Sequence, residues 1–149
     1  MGRVLALVAA LLVLCMGGLA LAVYLGRDED NLAIDNLLSE RFSRAVALTG
    51  RHGEVDLRDY ARFGWDRVLI VRQGTPPAAI SRRLGQKWKG IVGIDTGDLL
   101  IFLDGSHVAR FADYRGEGRF AGIPRPFAEL ARNRAVFDVR ELVIRPRTE

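Results

Sequence analysis

The chain has 149 residues, 49% of them hydrophobic and 27% charged, with a formal net charge of +4. These values exclude wholesale disorder, a collagen-like repeat and a polytopic membrane protein, and the length allows one ordinary domain. One cysteine, Cys15, and two histidines, His52 and His107, exclude a disulfide framework, a cysteine zinc site and a histidine-rich metal site, so no cofactor is expected.

Val4 to Leu25 runs 22 residues without a charge. At about 1.5 Å per residue a helix of that length spans roughly 30 Å, the thickness of a bilayer core. The rest of the chain is too short to wrap such a helix. Residues 1–25 are therefore expected to form a signal anchor or signal peptide, and residues 26–149 an extracytoplasmic domain. Two versions stand open. In one, the whole run is retained as a membrane helix with Tyr24 at the interface. In the other, Gly17-Gly18 breaks the helix and Ala20-Leu21-Ala22 is a cleavage site that releases the domain near Ala22. A third version acylates Cys15, but Leu14 stands where lipoprotein signals carry a small residue. Arg3 lies on one side of the run and Arg27-Asp28-Glu29-Asp30 on the other, so the positive-inside rule sends the domain outward.

Residues 28–50 read as an amphipathic helix, with Asp28 or Asp30 as cap and Gly50 as stop. Its stripe is Leu32, Leu38, Phe42, Ala45 and Val46, widened by Leu37 and Leu48. Val55-Asp56-Leu57 alternates briefly. Trp65–Val71 is a strong β-strand, and Thr75-Pro76-Pro77 leads into a short helix, Ala78–Leu84, closed by Gly85. Ile91–Ile94 is a candidate strand. Leu99–Leu103 is an unbroken apolar run, which implies a central strand covered on both faces. Asp104-Gly105 reads as a type I′ turn joining it to His107–Tyr114. Residues 115–126 read as a loop, Pro126–Asn133 as a short helix, and Val136–Ile144 as a last strand. The class expected is α+β: an N-terminal membrane helix, then a small domain with a mostly antiparallel sheet of four to five strands and two or three helices.

Catalytic patterns are weak. Ser106 and His107 are adjacent, and neighbours on a strand face opposite ways, so this serine cannot use this histidine as base. No G-x-S-x-G elbow occurs. Asp95-Thr96-Gly97-Asp98 reads as a turn and lacks the pattern of a calcium loop. Gly116–Gly122 has the wrong spacing for a dinucleotide loop, and Ile123-Pro124 stands where a helix should begin. No catalytic, cofactor or metal residue is therefore assigned.

Two basic segments are candidates for binding a partner or an anion. Arg82, Arg83, Lys87 and Lys89 surround Trp88, a set suited to anionic headgroups if that ring is exposed; with Trp88 tucked into the core, they are a solvated helix end whose cations complement the helix dipole. Arg115, Arg119 and Arg125 rim the glycine-rich loop. Residues 26–149 keep 21 basic and 18 acidic residues, a mild excess that gives no case for nucleic acid.

Phe63-Gly64-Trp65-Asp66-Arg67-Val68, then Pro76-Pro77, Ala78–Gly85, and Leu99–Phe102 with Asp104-Gly105, form an ordered set of features. This order resembles small bacterial exported or lipoprotein-type proteins, in which a W-D-[KR]-V strand precedes a Pro-led helix ending in L-G. The match covers about residues 63–111. The sequence departs from it at Cys15, whose lipoprotein motif is poor, and at the arginine-rich loop 115–125. The resemblance implies export and an α+β domain, and no activity. The expected function is that of a membrane-tethered cell-envelope protein, held in the membrane through residues 4–25, whose non-catalytic domain binds an envelope protein or an anionic surface. The alternative is an extracytoplasmic enzyme of unknown class.

Overall fold

The computed structural model describes residues 34–49, 52–91 and 93–147, which fall in one compact unit. Helix α1 spans Asn36–Leu48. Strand β1 spans His52–Asp56, β2 Arg67–Val71, β3 Asp98–Asp104 and β4 His107–Tyr114. Helix α2, Pro77–Leu84, lies between β2 and β3. The chain then makes β5 (Arg119–Phe120), β6 (Phe127–Ala131), β7 (Val136–Arg140) and β8 (Val143–Pro146). Two four-stranded sheets result, one ordered β4-β3-β2-β6 and the other β1-β7-β8-β5. Every pairing is antiparallel except β5 with β8. The described residues form a mixed α+β unit with two α-helices and two sheets.

This corrects the expected architecture, a single sheet of four to five strands with two or three helices. Three misread segments account for the difference. Pro126–Asn133 is no helix, since Phe127–Ala131 extends along β2 as an edge strand, with Val71 opposite Phe127. The supposed single strand Val136–Ile144 is two strands joined by Glu141-Leu142, both at positive φ (50° and 60°). Arg119-Phe120 leaves the loop to pair with β8. The described residues of Ile91–Ile94 form no strand, although Ile94 is buried. The membrane helix expected over residues 4–25 lies outside the described residues, among which no helix is long and apolar enough to cross a bilayer.

Two cores sandwich the first sheet. Leu100 and Phe102 of β3 face one core, together with Val68 and Ile70 of β2 and the inner residues of the second sheet, Phe137, Val139 and Ile144. Leu99, Ile101 and Leu103 face the other, under Ile80 of α2 and Trp88. The run Leu99–Leu103 is thus covered on both faces. In the first core Phe42 is fully buried, with its ring 5.3–6.2 Å from those of Tyr60, Tyr114, Phe120 and Phe137.

Helix α1 starts at Asp35, whose carboxylate accepts the Leu38 N–H at 2.9 Å, rather than at Asp28 or Asp30. It buries Leu38, Ser39, Phe42 and Val46. The Ser39 hydroxyl donates to the Asp113 carbonyl at 2.8 Å, and the Glu117 N–H donates to Ser43 Oγ at 2.7 Å. These bonds fasten the helix to β4 and to the loop beyond it. Leu37 and Leu48, expected to widen the buried stripe, lie outside it, 53% and 80% exposed. Gly50 and residues 28–33 of the expected helix lie outside the described residues.

The β3–β4 hairpin turns at Gly105-Ser106, with Asp104 opposite His107. Only Gly105, at φ 60°, needs the left-handed region. That pattern is type II′ rather than the type I′ turn centred on Asp104-Gly105. Gly85, at φ 68°, closes α2 as expected.

Candidate functional site

Antiparallel pairing brings distant segments to one end of the first sheet. Val71 ends β2 opposite Leu99, and Asp98 begins β3 opposite Tyr114 at the end of β4. Residues just beyond these ends are therefore neighbours: Arg72 after β2, Arg115 after β4, and Arg125 shortly before β6. With Arg119 of β5 they line a cleft of about 430 Å³, whose wall also holds Asp98, Tyr114 and Gly97. Four arginines thus share the wall with the Asp98 carboxylate, and a second carboxylate, Asp113, pairs with Arg115, which leaves a surplus of two positive charges. In a concave wall such an excess concentrates the positive field, and the planar arginine fork matches carboxylate or phosphate oxygens two at a time.

The four arginines are held differently. Arg72 is tied down: its Nε lies 3.4 Å from Asp98 Oδ1, and its Nη1 donates to the Phe120 carbonyl at 2.9 Å. The buried Arg72 Nε has no hydrogen-bond partner among the described residues. Asp98, 8% exposed, also accepts the Gln73 N–H at 3.0 Å. Arg115 donates from Nε to Asp113 Oδ2 at 2.5 Å. The side chains of Arg119 and Arg125 make no ion pair among the described residues, which leaves both forks open to a ligand.

The floor demands glycine at two points. Gly97 is at φ 83°, and a Cβ there would collide with the Tyr114 carbonyl. Gly118 is at φ 85°, and a Cβ would lie 2.8 Å from the Leu142 carbonyl. Asp95–Asp98 accordingly makes the bend expected, but its last carboxylate is a structural partner of Arg72. The Tyr114 hydroxyl donates to the Glu117 carbonyl. Burial, then the Glu117 carboxylate, raise its pKa well above the ordinary 10.0, so it stays neutral at ordinary pH.

The second basic segment is built otherwise. Trp88 is 7% exposed, its Nε1 donates to the Ile91 carbonyl at 2.9 Å, and its ring meets Phe111 edge-on at 5.2 Å. Trp88 is thus tucked into the second core, and its apolar area is not offered to a surface ligand. Arg83 pairs with Glu129 at 2.7 Å, while Arg82, Lys87 and Lys89 are exposed. The structure thus gathers Arg115, Arg119 and Arg125 into one cleft and leaves Arg82, Arg83, Lys87 and Lys89 exposed outside it. Sequence reading missed Arg72. Its signal was positional: once β2 and β3 pair antiparallel, the residue after Val71 must meet the one before Leu99.

His52, Ser106 and His107 are all exposed. Among the described residues no group of three or more His, Cys, Asp or Glu side chains is placed to share a metal ion.

The architecture defines a small two-sheet α+β domain with an arginine-walled cleft at one sheet end. No protein-family model, curated protein or solved structure matches the chain at a significant level.

Proposed function

We propose that this chain is a membrane-tethered cell-envelope protein whose domain binds an acidic partner through the Arg72–Arg115–Arg119–Arg125 cleft and acts by binding rather than catalysis. The observation that carries the reading is the cleft wall itself, where Arg119 and Arg125 make no ion pair among the described residues and add to Arg72 and Arg115, paired with Asp98 and Asp113. The tether rests on the uncharged run Val4–Leu25 and the charge asymmetry across it, and the resemblance to exported proteins supports the same side of the membrane.

Titrating the full chain in detergent with a polyglutamate peptide tests the cleft. Binding should weaken about tenfold or more in the Arg119→Ala/Arg125→Ala variant, given roughly 1.5–3 kcal/mol for each hydrogen bond to a charged group, and should fall with salt. Equal binding by both proteins overturns the reading. The tether has its own test. A C-terminal reporter active only in the oxidising compartment should work, and the mass of the membrane-purified protein should be that of the intact chain. A new N-terminus at Val23 would assign a cleaved signal instead.

A further inference from the structure

The outer face of α1 carries a pattern that the cleft does not explain. At about 100° per residue, positions 37, 41, 44 and 48 fall within roughly 60° of one another, on the side of the helix opposite Phe42 and Val46. Leu37 is 53% exposed and Leu48 80% exposed, two of the few large apolar side chains left in water, and Arg41 and Arg44 lie exposed between them. Arg41 and Arg44 make no ion pair among the described residues. The face continues onto the segment after β1, where Tyr60 and Arg62 line a shallow groove with Arg41, Arg44 and Leu48. Asp35, Glu40 and Asp59 are nearby acids, Asp35 being paired with Arg110 at 3.0 Å, and Arg62 Nε donates to the Asp59 carbonyl at 2.9 Å.

Apolar tips flanked by arginines are the composition of a surface that rests on anionic headgroups, with leucine entering the interface and guanidinium meeting phosphate. Chain length supplies the second argument. Only residues 26–33 separate the apolar run from the described domain. Eight residues reach at most about 30 Å when fully extended, so a tethered domain has its α1 end held near the bilayer at all times. We infer that the Leu37–Arg41–Arg44–Leu48 face of α1, with Arg62, docks on the anionic bilayer in which the chain is tethered. This inference rests on the proposed tether, and it leaves the arginine cleft, built on other residues, free for a partner.

The test uses the full chain with Cys15→Ser and Leu48→Cys, labelled with an environment-sensitive fluorophore. It is reconstituted in phosphatidylcholine vesicles with and without phosphatidylglycerol. Docking predicts blue-shifted emission with phosphatidylglycerol, none in detergent, and none from a label at Glu141. Arg41→Glu/Arg44→Glu should abolish the shift, since each basic residue near such a surface contributes about fivefold to the docking equilibrium. Protein that floats with the vesicles but shows no shift overturns the docking face and leaves the tether standing. Protein that floats with neither vesicle overturns the tether. A shift already present in detergent means that protein rather than lipid covers Leu48, and it also overturns the inference.

Discussion

Arg72 and Asp98 form a nearly buried ion pair across the β2–β3 end, Nε to Oδ1 3.4 Å, with the two side chains 13% and 10% exposed. The same guanidinium holds the Phe120 carbonyl, so one side chain joins the first sheet to the segment that carries Arg119 and Arg125. Replacing Arg72 with Met leaves Asp98 buried beside only the Gln73 N–H. Urea unfolding should show a loss of about 3–5 kcal/mol, and adding Asp98→Asn should recover part of it. Additive losses in the double variant would mean that the two groups do not interact.

Gly97 closes the floor of the cleft at φ 83°. Gly97→Ala introduces both strain and a collision with the Tyr114 carbonyl, and should cost about 1–3 kcal/mol while weakening anion binding. Gly105→Val, at φ 60° but with open space around it, should cost a similar amount through backbone strain alone and leave anion binding unchanged.

The β7–β8 turn offers the opposite sign. Glu141 and Leu142 both sit at positive φ, the geometry that Asn-Gly adopts without strain. Glu141→Asn with Leu142→Gly should raise stability by about 1 kcal/mol, read from the urea midpoint. A decrease would mean that the Leu142 side chain contributes more than its backbone costs.

Stability should fall at both ends of the pH scale, for two identifiable reasons. The Arg58 side chain donates to both Asp56 oxygens and holds its carboxyl below the ordinary 3.8. The unfolded chain therefore takes up a proton first, and the contribution, complete above about 3.8, is lost as pH falls through the lower folded value. Tyr114 is raised, so the unfolded chain loses its proton first and stability drops as pH rises above 10.0. Asp56→Asn should flatten the acid limb and Tyr114→Phe the alkaline one, each measured as Tm against pH.

Trp88 separates core from surface in the α2 region. Trp88→Ala should cost about 3–5 kcal/mol, whereas Lys87→Ala, one residue away and exposed, should change stability by less than about 0.5 kcal/mol.

Local chemistry was legible in the sequence wherever it decides structure within a few residues. Pro76-Pro77 and Gly85 bound α2, Gly105 turns the β3–β4 hairpin, and the unbroken Leu99–Leu103 run marks a strand buried on both faces. The three arginines of the 115–125 loop were visible as a group because they are near in sequence. What tertiary structure alone decided is pairing. Phe127–Ala131 has no β-branched residue and passes for a helix turn, yet hydrogen bonding to β2 makes it a strand. Glu141-Leu142 carries no turn signal, and only the antiparallel match of Arg140 with Val143 forces the chain to reverse there. Arg72 entered the cleft, and the choice between an exposed and a buried Trp88 was made, through the same kind of long-range contact. Propensity acts over a few neighbours, whereas sheet register and core burial are set by partners tens of residues away, and those are the larger energies.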